Sequence, residues 1–326
     1  MGPSERPLSS VIETVGDTPL VSLKAAPSGV DIYAKLESFN PGASVKDRIG
    51  VYMLERMLEE GTIEPGGTVI EPTAGNTGIG LAIAAGQLDL EAVFVVPERF
   101  SVEKQQLMAS LGAEIVNTPS EEGMTRALEV AFDLADELDN AVVPQQFANP
   151  LNTEAHYETT APEIYNALKG EVGAVVAGCG TAGTLMGIAR YGGEQPHPPY
   201  VVAVEPEGSL YAEFYGEHPE EEEYKIEGIG THDTDLNDLY EPERVDELVQ
   251  VTDEDAHGEV QRLAAEEGHL VASSSAANSL AAQRVAHRVA DGDLDLPYST
   301  IVTIFPDSSE RYLSKGIYGS FDDWTN

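Results

Sequence analysis

Three short polar stretches hold the residues best able to do chemistry. The last of them, Gly178-Cys179-Gly180-Thr181-Ala182-Gly183, follows an apolar run and precedes a helical pattern from Thr184. A turn of this kind aims backbone N–H groups at an anion on a helix N-terminus. Its spelling is also G-x-G-x-x-G, and Glu205 follows where an acid would take a ribose hydroxyl in a dinucleotide site. Any phosphate satisfies the same physics. The hydroxyls of Thr181 and Thr184 suit a terminal phosphate monoester better than a pyrophosphate that needs close backbone approach.

The first stretch is Asn40-Pro41-Gly42-Ala43-Ser44-Val45-Lys46-Asp47-Arg48, leading into a pattern with Ile49, Met53 and Met57 on one helix face. Ser44 is placed to cap that helix and Gly61 to stop it, which puts Lys46 in the first turn. The helix dipole opposes a cation there by about 0.3–1 kcal/mol. A lysine that works as a Schiff base tolerates the position better than a strongly hydrated ammonium does. Spacing alone leaves Lys46 readable as an ordinary surface lysine. The second stretch, Glu71-Pro72-Thr73-Ala74-Gly75-Asn76-Thr77-Gly78, joins a strand to a helix. It offers two threonine hydroxyls, an amide and several N–H groups, equipment for a carboxylate that uses no charged side chain.

The elements that must position these loops alternate along the chain. Apolar runs at 68–71, 92–96, 141–143, 174–177, 200–204 and 301–305 read as buried strands, with helical spacing between them, as around Leu81 to Ala85 and from Val102 to Leu111. Short continuous runs of this kind belong to parallel sheets covered on both faces. The fold class is therefore α/β, with two doubly wound domains and mostly parallel sheets. The chain has 326 residues, enough for two domains, and Asn149-Pro150 breaks the pattern near their boundary. We expect residues 1–40 to pack with the large domain, 41–148 to form a smaller N-terminal domain and 149–326 a larger C-terminal one.

Eighteen Lys and Arg stand against 57 Asp and Glu, a formal net charge of −39. That balance excludes a sequence-independent grip on nucleic acid or on anionic membrane. Acidic blocks such as 220–223 read as solvated surface. With only seven lysines in the chain, such a surface repels itself until salt screens it, and at about 1 M the Debye length is about 3 Å. The surface reads as that of a halophile's protein. Met1 to Ser10 shows no secretory h-region, no run is long enough to span a bilayer, and the single cysteine permits no intrachain disulfide. A cytoplasmic location is expected. The seven histidines show no ligand spacing, so no metal is expected. Cys179 lacks a nearby histidine in sequence and reads as a small buried apolar residue.

Lys46, the Thr73–Gly78 loop and the Gly180–Thr184 cradle, taken together, resemble the β-family (fold type II, tryptophan synthase β-like) of pyridoxal-phosphate enzymes, in particular the cysteine synthase and cystathionine β-synthase group. The resemblance runs from Gly16-Asp17-Thr18-Pro19-Leu20 to Tyr318. It includes Gln145-Gln146-Phe147-Ala148-Asn149-Pro150, Glu227-Gly228-Ile229-Gly230, and the segment from Phe305 to Lys315 with its Asp307-Ser308-Ser309-Glu310-Arg311-Tyr312 core. It implies pyridoxal 5′-phosphate as cofactor, bound covalently by Lys46, which later moves the Cα proton of the substrate. It further implies Asn76 on the 3′ oxygen, Gly180, Thr181, Ala182, Gly183 and Thr184 on the phosphate, and Ser308 on the pyridine nitrogen. A neutral hydroxyl there weakens the electron sink and favours β-elimination over transamination. Thr73, Ala74, Gly75, Thr77 and Gln146 would grip the α-carboxylate, and Gly228 would lie on a loop lining the mouth. Residues 91–138 would move when that carboxylate binds.

The implied reaction is β-replacement on O-acetylserine or serine by a thiol, in ping-pong form. Homocysteine as acceptor makes a cystathionine β-synthase, sulfide a cysteine synthase, and the loop and C-terminal wording look most like the O-acetylserine-using cystathionine-forming branch. Ala74, where serine is commoner, leaves room for a bulkier thiol. Serine or threonine dehydration, or a catalytically silent amino-acid-binding or complex-forming protein, are the other readings. Intact Lys46 and Ser308 oppose the silent one. Ala182 and the Ser275-Ala276 pair also depart from the family wording, where glycine is usual at 182 and 276. A homodimer is expected, without haem and without an S-adenosylmethionine-binding module.

Overall fold

Alternation within the strands decides which helices cover which sheet face, and the computed structural model shows this twice. The structure describes residues 7–98 and 100–319. The chain divides into two units, one of residues up to Asp17 with Phe39–Ala155, the other of Thr18–Ser38 with the chain from His156. Strands β1 (Leu20–Ser22) and β2 (Asp31–Leu36) come first and belong to the second unit.

The first unit continues with α1 (Lys46–Glu60), β3 (Thr68–Pro72), α2 (Asn76–Gln87), β4 (Glu91–Pro97), α3 (Val102–Ser110), β5 (Glu114–Thr118), α4 (Gly123–Asp136), β6 (Ala141–Val142) and α5 (Pro150–Ala155). Its sheet has the order β5-β4-β3-β6, all parallel. Val69, Phe94 and Val96 point to the side of α1 and α2, whereas Ile70 and Val95 point to Ala127 and Ala131 of α4. Period-two alternation thus feeds two apolar layers. Each fully buried Val, Ile or Phe in them is worth about 1.5–3 kcal/mol.

The second unit adds α6 (Ala161–Ala167), β7 (Ala174–Gly178), α7 (Gly183–Gly193), β8 (Tyr200–Pro206), β9 (Glu247–Val251), α8 (Asp253–Arg262), α9 (Ser273–Asp291) and β10 (Thr300–Phe305). The sheet order is β1-β2-β10-β7-β8-β9, parallel except for the β1–β2 pair. Val176, Val202 and Ile301 face α8 and α9, while Val175, Ala203 and Val302 face α6 and α7. No described helix is long and apolar enough to cross a membrane.

The α/β class with mostly parallel sheets stands as read. Boundaries differ in two places. The units part at Ala155/His156, not at 148/149, because Tyr52 and Arg56 of α1 reach Glu154 of α5 at 2.8 and 3.8 Å. Of the 1–40 segment, only Thr18–Ser38 joins the larger unit, through the pairing of β2 with β10. Four strands escaped the sequence reading. β1, β5 and β9 are edge strands and carry no continuous apolar run. β2 holds a buried cation, Lys35, paired with Glu163 at 2.5 Å. The helix after the glycine-rich turn begins at Gly183, one residue before Thr184.

Candidate active site

The first unit places Lys46 by packing backbone on backbone. A Cβ on Gly50 would meet the Gly80 carbonyl at 2.5 Å, and one on Gly80 would meet the Lys46 carbonyl oxygen at 2.5 Å. α1 and α2 can touch this closely only with glycine at both positions. Val45 already has helical angles, so Ser44 acts as the cap, its hydroxyl accepting the Lys46 N–H at 3.2 Å. Asp47, buried, accepts the Gly42 N–H and folds the loop back on the helix start. Burial lowers the Lys46 ammonium from its ordinary value to about 8. Among the described residues no carboxylate forms an ion pair with it. A desolvated amine without a counter-ion is a nucleophile near neutral pH.

The carboxylate loop lies in the same unit, at the N-terminus of α2. Gly75 is the residue before the helix, with no side-chain cap, and a Cβ there would meet nothing within 4 Å. Ala74, Gly75 and Asn76 are partly exposed, whereas Thr73 and Thr77 are buried. Thr73 accepts the Gly75 N–H at 3.3 Å, and Thr77 donates to the side-chain oxygen of Gln146 at 2.6 Å. The structure therefore brings Thr73, Ala74, Gly75, Thr77 and Gln146 together at a helix start, the kind of place where backbone N–H groups can receive an anion.

Sequence reasoning missed the residue that carries Gln146 there. Glu71, at the end of β3, accepts the N–H of Gln145 at 3.0 Å and of Gln146 at 3.1 Å. Burial pushes its carboxyl up to about 7, against the pull of those two N–H groups. Gln145 takes a left-handed φ of 58° in this turn. An acid closing an otherwise apolar strand was the available signal.

The second unit holds the anion cradle. Ala182, just before α7, has φ 66° and no side-chain cap. The glycine usual at this position would adopt that angle freely, and Ala bears a left-handed cost of about 1 kcal/mol. A Cβ on Gly180 would strike the Gly228 carbonyl oxygen at 2.4 Å, so Gly228 lies directly against the cradle. Tyr211 donates its hydroxyl to the Gly180 carbonyl at 2.8 Å. Thr181 is buried, and its hydroxyl accepts the Gly183 N–H at 3.4 Å. Thr184, partly exposed, meets Nε2 of His156 at 3.1 Å.

Glu205 does not face a ligand. It is buried, accepts the Tyr211 N–H and the Gln250 amide at 3.0 Å each, and burial raises its carboxyl. The ribose-reading role that the glycine pattern suggests is thereby filled by the protein itself. Cys179 is also buried, its N–H bonded to the Val204 carbonyl, and burial pushes its thiol well up. It is an inert core residue.

Ser308 is half-buried and pairs with Val271 in an isolated antiparallel bridge. That bridge sets it beside the strand-like entry to α9, where a second hydroxyl stands out. Ser275 is fully buried and its Oγ has no hydrogen-bond partner among the described residues. An orphaned buried hydroxyl calls for an explanation, and a ring heteroatom would supply the missing partner. The sequence signal was the run Ser273-Ser274-Ser275 at a helix start. Within the second unit, the anion cradle and the buried Ser275 hydroxyl fit the phosphate and the ring nitrogen of pyridoxal phosphate, and within the first the desolvated lysine fits its aldehyde. Among the described residues no group of three or more His, Cys, Asp or Glu is placed to hold a metal.

Comparison with known proteins agrees. The family model for pyridoxal-phosphate dependent enzymes matches residues 11–307. The chain is 43% identical over 313 residues to an O-acetylserine dependent cystathionine beta-synthase of Bacillus subtilis, covering 95% of this chain and 98% of that protein. It is 42% identical over 315 residues to a cysteine synthase of Helicobacter pylori, covering 95% and 99%. A crystal structure of the O-acetylserine dependent cystathionine beta-synthase from Helicobacter pylori superposes with a TM-score of 0.86 at 41% identity, covering 96% of this chain and 99% of that one.

Proposed function

We propose that this chain, which belongs to the pyridoxal-phosphate-dependent enzyme family, replaces the β-substituent of O-acetylserine or serine with the sulfur of homocysteine. The observation that carries the reading is Lys46, an amine brought by burial to about 8 with no carboxylate ion-paired to it among the described residues, in the unit that also holds the carboxylate loop. The relative from Bacillus subtilis and the solved structure from Helicobacter pylori support the cystathionine-forming acceptor. The Helicobacter pylori relative described as a cysteine synthase supports the second reading, sulfide as acceptor.

Pyridoxal phosphate, when bound, supplies the electron sink that acidifies the substrate's Cα–H and lets the β-substituent leave. Everything else falls to this chain's residues. Lys46 would hold the cofactor, and its Nζ would take and return the substrate's Cα proton. Asn76 would hold the ring's 3′ oxygen, and Gly180, Thr181, Ala182, Gly183 and Thr184 would hold the phosphate. Thr73, Ala74, Gly75, Thr77 and Gln146 fix the α-carboxylate, and Gly228 lines the approach. For the pyridine nitrogen Ser275 is a better candidate than Ser308, because its hydroxyl is buried and has no partner among the described residues, whereas Ser308 is half-open to water. Movement of residues 91–138 on carboxylate binding shields the site from water. The working form is a homodimer, a reading that rests on the family resemblance.

Product analysis with O-acetylserine, sulfide and homocysteine in competition tests the function. Cystathionine as the main product is expected. Cysteine as the main product favours the second reading, and pyruvate with neither thioether nor thiol product overturns both.

A further inference from the structure

His156 is fully buried at the start of a π-helical turn, His156–Thr160, and each of its ring nitrogens meets a hydroxyl. Nδ1 lies 2.8 Å from Thr160 Oγ1 and Nε2 lies 3.1 Å from Thr184 Oγ1. π-turns inside helices recur at functional sites, and here the widened turn aims an imidazole at the phosphate cradle. A neutral imidazole has one donor and one acceptor, and each threonine has one proton to give.

The two tautomers are not equivalent. Thr160 is buried and does not cap the helix that follows it, so among the described residues His156 is the hydrogen-bond partner its hydroxyl has. If Nδ1 carried the proton, the Thr160 hydroxyl would receive that bond and leave its own proton buried without an acceptor. If Nδ1 is bare, Thr160 donates to it, Nε2–H donates to Thr184 Oγ1, and the Thr184 proton is released. Thr184 stands in the first turn of α7, beside the N–H groups that the helix leaves unpaired.

We propose that His156, held in the Nε2–H form by Thr160, is a positioning residue that makes the Thr184 hydroxyl a hydrogen-bond donor to the cofactor's phosphate. This rests on the phosphate role of the Gly180–Thr184 cradle given above. Without the relay Thr184 would turn its proton into the protein and face an anion with lone pairs.

The test uses the full-length holoenzyme and reads cofactor binding instead of turnover. Nitrogen-15 histidine spectra should show His156 with a protonated Nε2 and a bare Nδ1. Thr160→Val should weaken pyridoxal phosphate binding, measured by dialysis equilibrium, by about 10- to 100-fold, the range for a lost bond to a charged group. It should also shift the phosphorus-31 resonance of the bound phosphate. Thr160→Ser should restore both. Thr184→Val should weaken binding to the same degree, and Thr160→Val added to it should change nothing more. A protonated Nδ1, or fully additive losses in the double variant, overturns the relay while leaving the cradle in place. Unchanged binding in Thr184→Val removes the cradle assignment itself, and the relay with it.

Discussion

Thr77 donates its hydroxyl to the side-chain oxygen of Gln146 at 2.6 Å, across 69 residues of sequence. The bond turns the amide's NH2 end away from Thr77, and the backbone of Gln146 is pinned separately by Glu71. Thr77→Val should therefore let the amide rotate without unfolding the loop. A buried hydrogen bond of about 0.5–1.5 kcal/mol predicts a rise of about 2- to 12-fold in KM for O-acetylserine, with kcat nearly unchanged. Steady-state kinetics of Thr77→Val against Thr77→Ser decide this, and equal KM values for the two variants would remove Gln146 from substrate binding.

The cofactor should load with a pH dependence set by Lys46. Its folded value of about 8 lies below the ordinary value of 10.5. The neutral amine is the form that condenses with an aldehyde. Loading of apoprotein, followed by the visible absorption band, should therefore rise with pH to a midpoint near 8. The same depression means that the charged form is penalised in the apoprotein, so its stability should rise from pH 8 toward the unfolded value and fall as pH drops through 8. Borohydride should abolish the band and leave a pyridoxyl adduct that peptide mapping finds on Lys46. A midpoint above 10, or an adduct on another lysine, contradicts the assignment.

Two serines compete for the pyridine nitrogen, and the same substitution separates them. Ser275→Asp should keep the cofactor but lose most β-replacement, because a carboxylate would hold the ring protonated and deepen the electron sink. Ser308→Asp should cost less than tenfold in kcat/KM. The reverse order of losses would return the role to Ser308.

The net charge of −39 predicts destabilisation as ionic strength falls. Thermal melts from low to multimolar potassium chloride should show Tm rising with salt until repulsion is screened. A flat Tm would mean that the arginine pairs, such as Arg262 with Glu259 at 2.7 Å, already balance the surface.

Acceptor choice can be probed at Ala74, which is partly exposed next to the open space at Gly75. If the missing hydroxyl admits homocysteine, Ala74→Ser should depress cystathionine formation more than sulfide use. A methyl-sized change in a pocket is worth about 1–3 kcal/mol, or 10- to 200-fold in selectivity. The ratio of the two kcat/KM values at fixed O-acetylserine measures it, and a ratio within twofold of the parent shows that position 74 does not choose the thiol.

The amino-acid sequence by itself determined the α/β class, the three loops and the lysine. Each depends on order along the chain: apolar runs of four to six, a glycine-rich turn after a strand, a helix start with its cap. Local backbone preference and periodicity write those features into neighbouring residues. Tertiary structure alone decided the rest. Glu71 meets Gln145 and Gln146, Gly228 abuts Gly180, and His156 bridges Thr160 and Thr184. It also decided that Glu205, well placed in sequence for a ribose, is used up inside the protein, and that Ser275 is left without a partner among the described residues. Whether a buried polar group finds a partner depends on what packs against it from distant parts of the chain, and no local pattern records that.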